Sequence, residues 1–103
     1  MVKLVVMYRP PQDAAEFERR YRDEHIALAE RIPGLTSLTL SRVIGTLGGS
    51  PAAYHRVAEL TFPDADALAR GGASPEGQAA VQHAAEIGTG GVDTLIMEVE
   101  REN

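Results

Sequence analysis

Leu35–Phe62, LTSLTLSRVIGTLGGSPAAYHRVAELTF, is the stretch that decides the fold. Its ends, Leu35–Ile44 (LTSLTLSRVI) and Tyr54–Phe62 (YHRVAELTF), alternate apolar and polar residues as half-buried strands do. Gly45-Thr46-Leu47-Gly48-Gly49-Ser50-Pro51 between them is a loop, so the stretch predicts an antiparallel hairpin with a long tip. Helix signals lie on both sides of it. Upstream, Pro11 through Asp13 open a helix that runs to about Arg31 and is ended by Pro33-Gly34. At about 100° per residue, Ala14, Phe17, Tyr21, Leu28 and Ile32 fall within one arc of about 60°. Glu16, Glu18, Arg19, Arg20, Arg22 and Asp23 form the solvated face. Val2–Tyr8 (VKLVVMY), stopped by Pro10-Pro11, reads as a strand buried on both faces.

Downstream, Pro63-Asp64 caps a second helical region broken at Gly71-Gly72. It restarts at Ser74 as N-cap, with Pro75 at the first helical position and Glu76 in the first turn, and reaches about Ile87. Gly88-Thr89-Gly90-Gly91 releases the chain into a last strand, Val92–Val99. The order β-α-β-β-α-β predicts an α+β, ferredoxin-like fold, a four-stranded antiparallel sheet with both helices on one face. On the other face Val5, Met7, Val57, Leu95, Met97 and Val99 are apolar where solvent calls for polar residues. A second copy, sheet against sheet, is the expected cover, so a homodimer is expected.

The length of 103 residues fits a single domain spanning residues 1–103. Fifteen alanines and a 5% aromatic content give a core with modest buried area per residue, which again favours a partner subunit. Ten basic against fifteen acidic residues, net charge −5, argue against nucleic acid as a partner. With no cysteine there are no disulfides, no thiolate chemistry and no Cys-based metal site. No apolar run is long enough for a signal peptide or a membrane span, so a soluble, cytoplasmic protein is expected.

Neither glycine-rich stretch joins a strand to a helix, so neither predicts a phosphate cradle. His25, His55 and His83 fall on different predicted elements with no short ligand spacing, and no metal or organic cofactor is expected. His25 lies just beyond the edge of the apolar arc, at the seam of helix and sheet. Two readings of it stay open: a hydrogen-bonded seam residue, or an acid/base group titrating near neutrality. Tyr54 shares its strand phase with Arg56, Ala58, Leu60 and Phe62, while His55, Val57 and Glu59 point to the opposite face. Small Ala58 predicts a cavity between sheet and first helix, floored by this phase and edged by His25. Tyr8, Tyr54, Arg56 and Leu60 are the expected substrate-binding residues, with His25 the catalytic candidate.

Phe17-x3-Tyr21-x3-His25-x-x-Leu28, closing with Ile32-Pro33-Gly34-Leu35, resembles the signature of the EthD-like proteins, named for ethyl tert-butyl ether degradation. Tyr54-His55-Arg56-Val57-Ala58-Glu59-Leu60-x-Phe62, Ser74-Pro75-Glu76-Gly77 and Gly90-Gly91-Val92 are similar to the family's second half. The resemblance implies a dimeric α+β barrel and matches His25 to the family's recurrent histidine on the first helix. It places the chain near lactone isomerases, cofactor-free monooxygenases and polyketide-tailoring dehydratases or decarboxylases. Many members carry an acid and an aromatic where this chain has Gln82-His83 and Ile87, so no role carries over to the last helix.

The leading expectation is a cofactor-free catabolic or tailoring enzyme acting on a small hydrophobic or oxygenated organic molecule. His25 would transfer the proton, as an isomerase, decarboxylase or monooxygenase-like activity requires. The alternative is a non-catalytic binding or accessory protein supporting an oxygenase system.

Overall fold

The structure is a computed structural model describing residues 1–103. Four strands, β1 (Val2–Tyr8), β2 (Ser37–Arg42), β3 (Arg56–Phe62) and β4 (Val92–Glu98), form one antiparallel sheet in the order β2-β3-β1-β4. This is the expected topology. The strands β2 and β3 are shorter than the alternation suggested: Thr36 and Val43 flank β2 with one backbone hydrogen bond each, to Thr61 and His55, Leu35 and Ile44 lie beyond them, and Tyr54 and His55 precede β3.

The first helix departs from a regular α-helix. It comprises α1 (Ala14–Arg20), a π turn (Tyr21–His25) and α2 (Ile26–Glu30). Asp13 caps its start by accepting from the Glu16 amide, and the Ile26 amide reaches back five residues to the Tyr21 carbonyl. Its buried residues are Phe17, Tyr21, His25 and Ala29, a strict spacing of four. On a straight α-helix each step of four drifts about 40°, which would carry Ala29 about 120° away from Phe17. The π turn cancels that drift. Leu28, beyond the turn, is therefore only half-buried, and Ala14, the first residue of α1, is exposed, although the regular helical arc put both on the core side.

The second helical region is also different from its expectation. The helix α3 (Ala65–Ala73) continues through Gly71-Gly72 and stops at Ser74, whose hydroxyl then caps α4 (Pro75–Ile87) by accepting from the Gly77 amide. Within that helix Gly71 serves close packing: a Cβ there would stand 2.7 Å from the Pro33 carbonyl oxygen. All helices cover the face that carries Leu4, Val6 and Tyr8. Two adjoining core clusters result, one around Leu60 and Phe62 and one around Tyr8, Phe17 and Tyr21.

The opposite face divides in two. Ser37, Thr39, Ser41, Thr61 and the Lys3–Glu59 ion pair (3.2 Å) make one side polar, while Val5, Met7, Leu95 and Met97 make the other apolar. The helices also leave the end of β4 beyond Thr94 uncovered on their own side, so Leu95 (52% exposed) and Ile96 (67%) stand open on opposite faces of one edge strand.

The tight α3–α4 corner is testable through Gly77→Ala, since a Cβ there would run into the Gly71 carbonyl oxygen and the Gly72 backbone. Alanine favours a helix by about 1 kcal/mol, but a Cβ driven into backbone that cannot swing aside lies at the upper end of overpacking, about 3 kcal/mol, for a net loss of about 2 kcal/mol. Thermal unfolding should show the variant melting about 5 °C or more below the parent. An unchanged or raised melting temperature would mean the two helices do not meet there.

Candidate functional site

Between the helices and the sheet lies a cavity of about 290 Å³, eighteen of whose twenty-two lining residues are apolar. Leu4, Val6, Leu40 and Leu60 form its floor, and alanines such as Ala29, Ala80 and Ala84 on the helices leave the space open. A short polar chain starts at the wall of this cavity. The Tyr8 hydroxyl lies 3.1 Å from His25 Nε2, His25 Nδ1 lies 2.9 Å from His83 Nδ1, and His83 Nε2 lies 2.9 Å from Glu24 Oε1. Arg20 holds the same carboxylate oxygen at 3.0 Å and also reaches Glu86.

The π turn orients these groups. Phe17 and Tyr21 stack with centroids 5.3 Å apart, Tyr21 and His25 at 5.8 Å, and His25 and His83 at 5.1 Å, so one column of rings crosses from the first helix to α4. Tyr8 meets Phe17, Tyr21 and His25 edge-on. Tyr21 lines the cavity too, and its hydroxyl is the one buried side-chain polar atom without a hydrogen-bond partner.

Burial controls the proton affinities. Removal from water, reinforced by the neighbouring His83, pushes His25 down to about 4, so the ring is neutral at pH 7 rather than titrating near neutrality as its type suggested. Burial likewise raises the Tyr8 and Tyr21 phenols above their ordinary range. Hydrogen bonds from His83 and Arg20 hold Glu24 below the usual carboxylate range.

Of the residues singled out from sequence, Tyr8, His25 and Leu60 meet around the cavity, and Tyr54 and Arg56 are absent from its lining. Tyr54 precedes β3, so the strand phase does not aim it; its hydroxyl donates to Asp93 (2.9 Å) and Arg9 lies over its ring. Arg56 is held by Glu18 through bonds of 3.1 and 2.6 Å, with its guanidinium over the Tyr21 ring. His55, expected on the opposite face, also bonds Glu18 at 3.2 Å and meets the Phe17 ring, because it too lies before the strand begins. Glu18 is therefore part of a half-buried cluster, not only of the solvated face. The sequence reading gave no role to His83 and Glu24. Glu24 adjoins His25 in the chain, but His83 is brought in from 58 residues away and leaves no local spacing to detect. No three histidine or carboxylate side chains converge as metal ligands would.

Fold and cavity together define a small α+β protein of ferredoxin-like fold with an apolar chamber between sheet and helices. The chain belongs to the EthD family: the EthD domain model matches residues 9–86. A Rhodococcus erythropolis protein, an uncharacterised 11.0 kDa product of the thcB–thcC intergenic region, is 30% identical over 100 residues, spanning 97% of this chain and 96% of its own. An EthD family protein of Bacillus halodurans superimposes with a TM-score of 0.90 at 27% identity, covering 96% of this chain and 98% of that one. The cofactor-independent oxygenase SnoaB of Streptomyces nogalater shares the fold (TM-score 0.70, 21% identity, 98% and 94% covered). So does a dimeric ferredoxin-like protein of unknown function from Jannaschia (0.72, 22%, 95% and 98%). No helix of this chain is long and apolar enough to cross a membrane.

The depressed His25 value has a consequence for stability. Between about pH 6.5 and about pH 4 the unfolded chain binds a proton at this ring that the folded chain refuses. The folded state carries no such penalty above that window and loses stability as pH falls through it, by at most about 1.4 kcal/mol per pH unit. Glu18 and Glu24, both held low, add a loss of the same sign only below their ordinary value of 4.5. Urea unfolding at successive pH values should show this decline, and His25→Gln should flatten the part above pH 4.5. Identical profiles for both proteins would contradict the burial argument.

Proposed function

We propose that this protein is a cytoplasmic, homodimeric enzyme that works without a cofactor. It binds a small apolar, oxygenated organic molecule in the chamber and moves a proton on it. The observation that carries this reading is the Tyr8–His25 pair at the wall of a chamber that is otherwise almost wholly apolar. An apolar ligand is drawn in by burial, and it meets an imidazole and a phenol where its reactive carbon or oxygen must lie. The neutral His25 ring is a base ready to accept at Nε2, and the Tyr8 hydroxyl then donates to the oxyanion that forms. The unpartnered Tyr21 hydroxyl offers a further donor for a ligand oxygen. Cofactor-free chemistry on this fold is what the SnoaB description records for that protein, and a catabolic setting agrees with the family's name.

The test begins with enolisable ketones, phenols and lactones, screened by changes in the NMR signals of Tyr8 and His25. On a compound that is turned over, His25→Gln should lose on the order of 100-fold in rate while still binding it. Undiminished turnover in that variant would end the proposal. Binding without turnover of any compound would instead make the protein an accessory carrier.

The homodimer is supported by the bare apolar half of the sheet and by the two uncovered faces of β4. It is also supported by the dimeric description of the Jannaschia structure. Sedimentation should give twice the 11.1 kDa of the chain. Leu95→Lys combined with Met97→Glu should shift the protein toward the single-chain mass. A parent protein that sediments as one chain at micromolar concentration would refute the assembly.

A further inference from the structure

The chain from Tyr8 to Glu24 has only one arrangement of protons when both imidazoles are neutral. Glu24 is held below the ordinary carboxylate range by its partners and can only accept, so His83 Nε2 must carry a hydrogen and donate to it. A neutral His83 then has a bare Nδ1, which must accept from His25 Nδ1–H across 2.9 Å. His25 in turn has a bare Nε2, which accepts from the Tyr8 hydroxyl. The reverse direction would set a bare His83 nitrogen against a carboxylate oxygen. One acceptor at the far end therefore fixes the tautomers of two rings and the direction of a phenol.

We propose that His83 and Glu24 are positioning residues that make His25 Nε2 the base of the site and that hold, as a His83⁺–Glu24⁻ pair, the charge of the proton it takes. This rests on the proton-transfer reading above and extends it. In the step, a C–H or O–H bond of the ligand breaks and a His25 Nε2–H bond forms, the electron pair staying on the ligand as an anion that accepts from Tyr8. Simultaneously the His25 Nδ1–H bond breaks and a His83 Nδ1–H bond forms. His25 ends neutral, with its hydrogen moved from Nδ1 to Nε2. The positive charge ends one ring further from the chamber, on a side chain that is 11% exposed and bonded to a carboxylate. Protonation back to the ligand reverses each bond.

The surroundings favour that resting place. His25 faces Tyr8 from β1, Tyr21 from its own helix and His83 from α4, with no carboxylate against it. His83 faces His25 and Glu24, and Glu24 is itself bonded by Arg20 and lies 3.7 Å from Arg19. Arg20 is shared with Glu86 of α4, and Arg56, paired to Glu18, stands over Tyr21. The acidic partner of the imidazole pair is on the His83 side.

Two-bond proton–nitrogen correlations of the imidazole rings in the unliganded, full-length protein test this without any substrate. At about pH 8, His25 should appear as the Nδ1–H tautomer, the minor form of free histidine, and His83 as Nε2–H. As pH falls, the first proton taken up by the pair should leave His83 with hydrogens on both nitrogens while His25 switches to Nε2–H. Glu24→Gln should weaken that uptake about tenfold and abolish the single His25 tautomer. His25 found as Nε2–H in the neutral protein, or doubly protonated in place of His83, would overturn the proposal. Tautomers as expected in a protein that turns over no compound would retain the proton path and defeat only the enzymatic reading.

Discussion

The structure depends on the π turn at Tyr21–His25. A regular helix cannot keep Phe17, Tyr21, His25 and Ala29 on one line, because its period falls short of four. The i→i+5 bond from Ile26 to Tyr21 supplies the missing rotation. The same turn allows three rings of one helix to stack and a fourth, His83, to join them from α4. Without it His25 would sit at the edge of the helix–sheet seam. With it the imidazole is 8% exposed, at the wall of the chamber.

Burying an imidazole at that place has an electrostatic cost, which the neutral state avoids. Both ring nitrogens of His25 are satisfied, by a phenol on one side and a second imidazole on the other. Neutrality leaves the chamber free of ions, which suits an apolar ligand. The charges needed to order the network are displaced to the periphery: Glu24 with Arg20 on one flank, Glu18 with Arg56 and His55 on the other. Glu18 fastens the start of β3 to α1, and Glu24 fastens the first helix to α4 through His83. Both carboxylates tie the helical layer to the elements that enclose the cavity.

The edge strand β4 is the least complete part of the molecule. The helices lie over the central strands and leave β4 apolar on two sides, with Ile96 toward the helical layer and Leu95 and Met97 toward the open face. On a chain so rich in alanine, helices pack close and span little of the sheet. The small residues that open the chamber thus also leave the sheet edge bare, so the chamber and the uncovered edge share one origin in the composition.

Strand alternation, the proline and glycine punctuation, and the Ser74-Pro75-Glu76 start were local signals, and they determined the order of elements and the sheet topology. They also placed Tyr8, His25 and Leu60 on the face that meets the helices. What failed in that reading failed where tertiary contacts override local pattern. The helix runs on through Gly71-Gly72, and Gly71 sits where Pro33 and Phe62 approach too closely for a larger residue. Tyr54 and His55 leave the strand phase because the ladder begins at Arg56. Straight-helix periodicity could not reveal the π turn, since that turn is selected by the rings it aligns and not by the residues from Tyr21 to His25 alone. The His25–His83 contact likewise has no expression in sequence spacing, because two histidines 58 residues apart become neighbours only when α4 packs beside the first helix. Sequence by itself determined which side of the sheet is chemically equipped; only the folded chain decided which side chains share a proton there, since a hydrogen bond depends on distances of about 3 Å that packing alone sets.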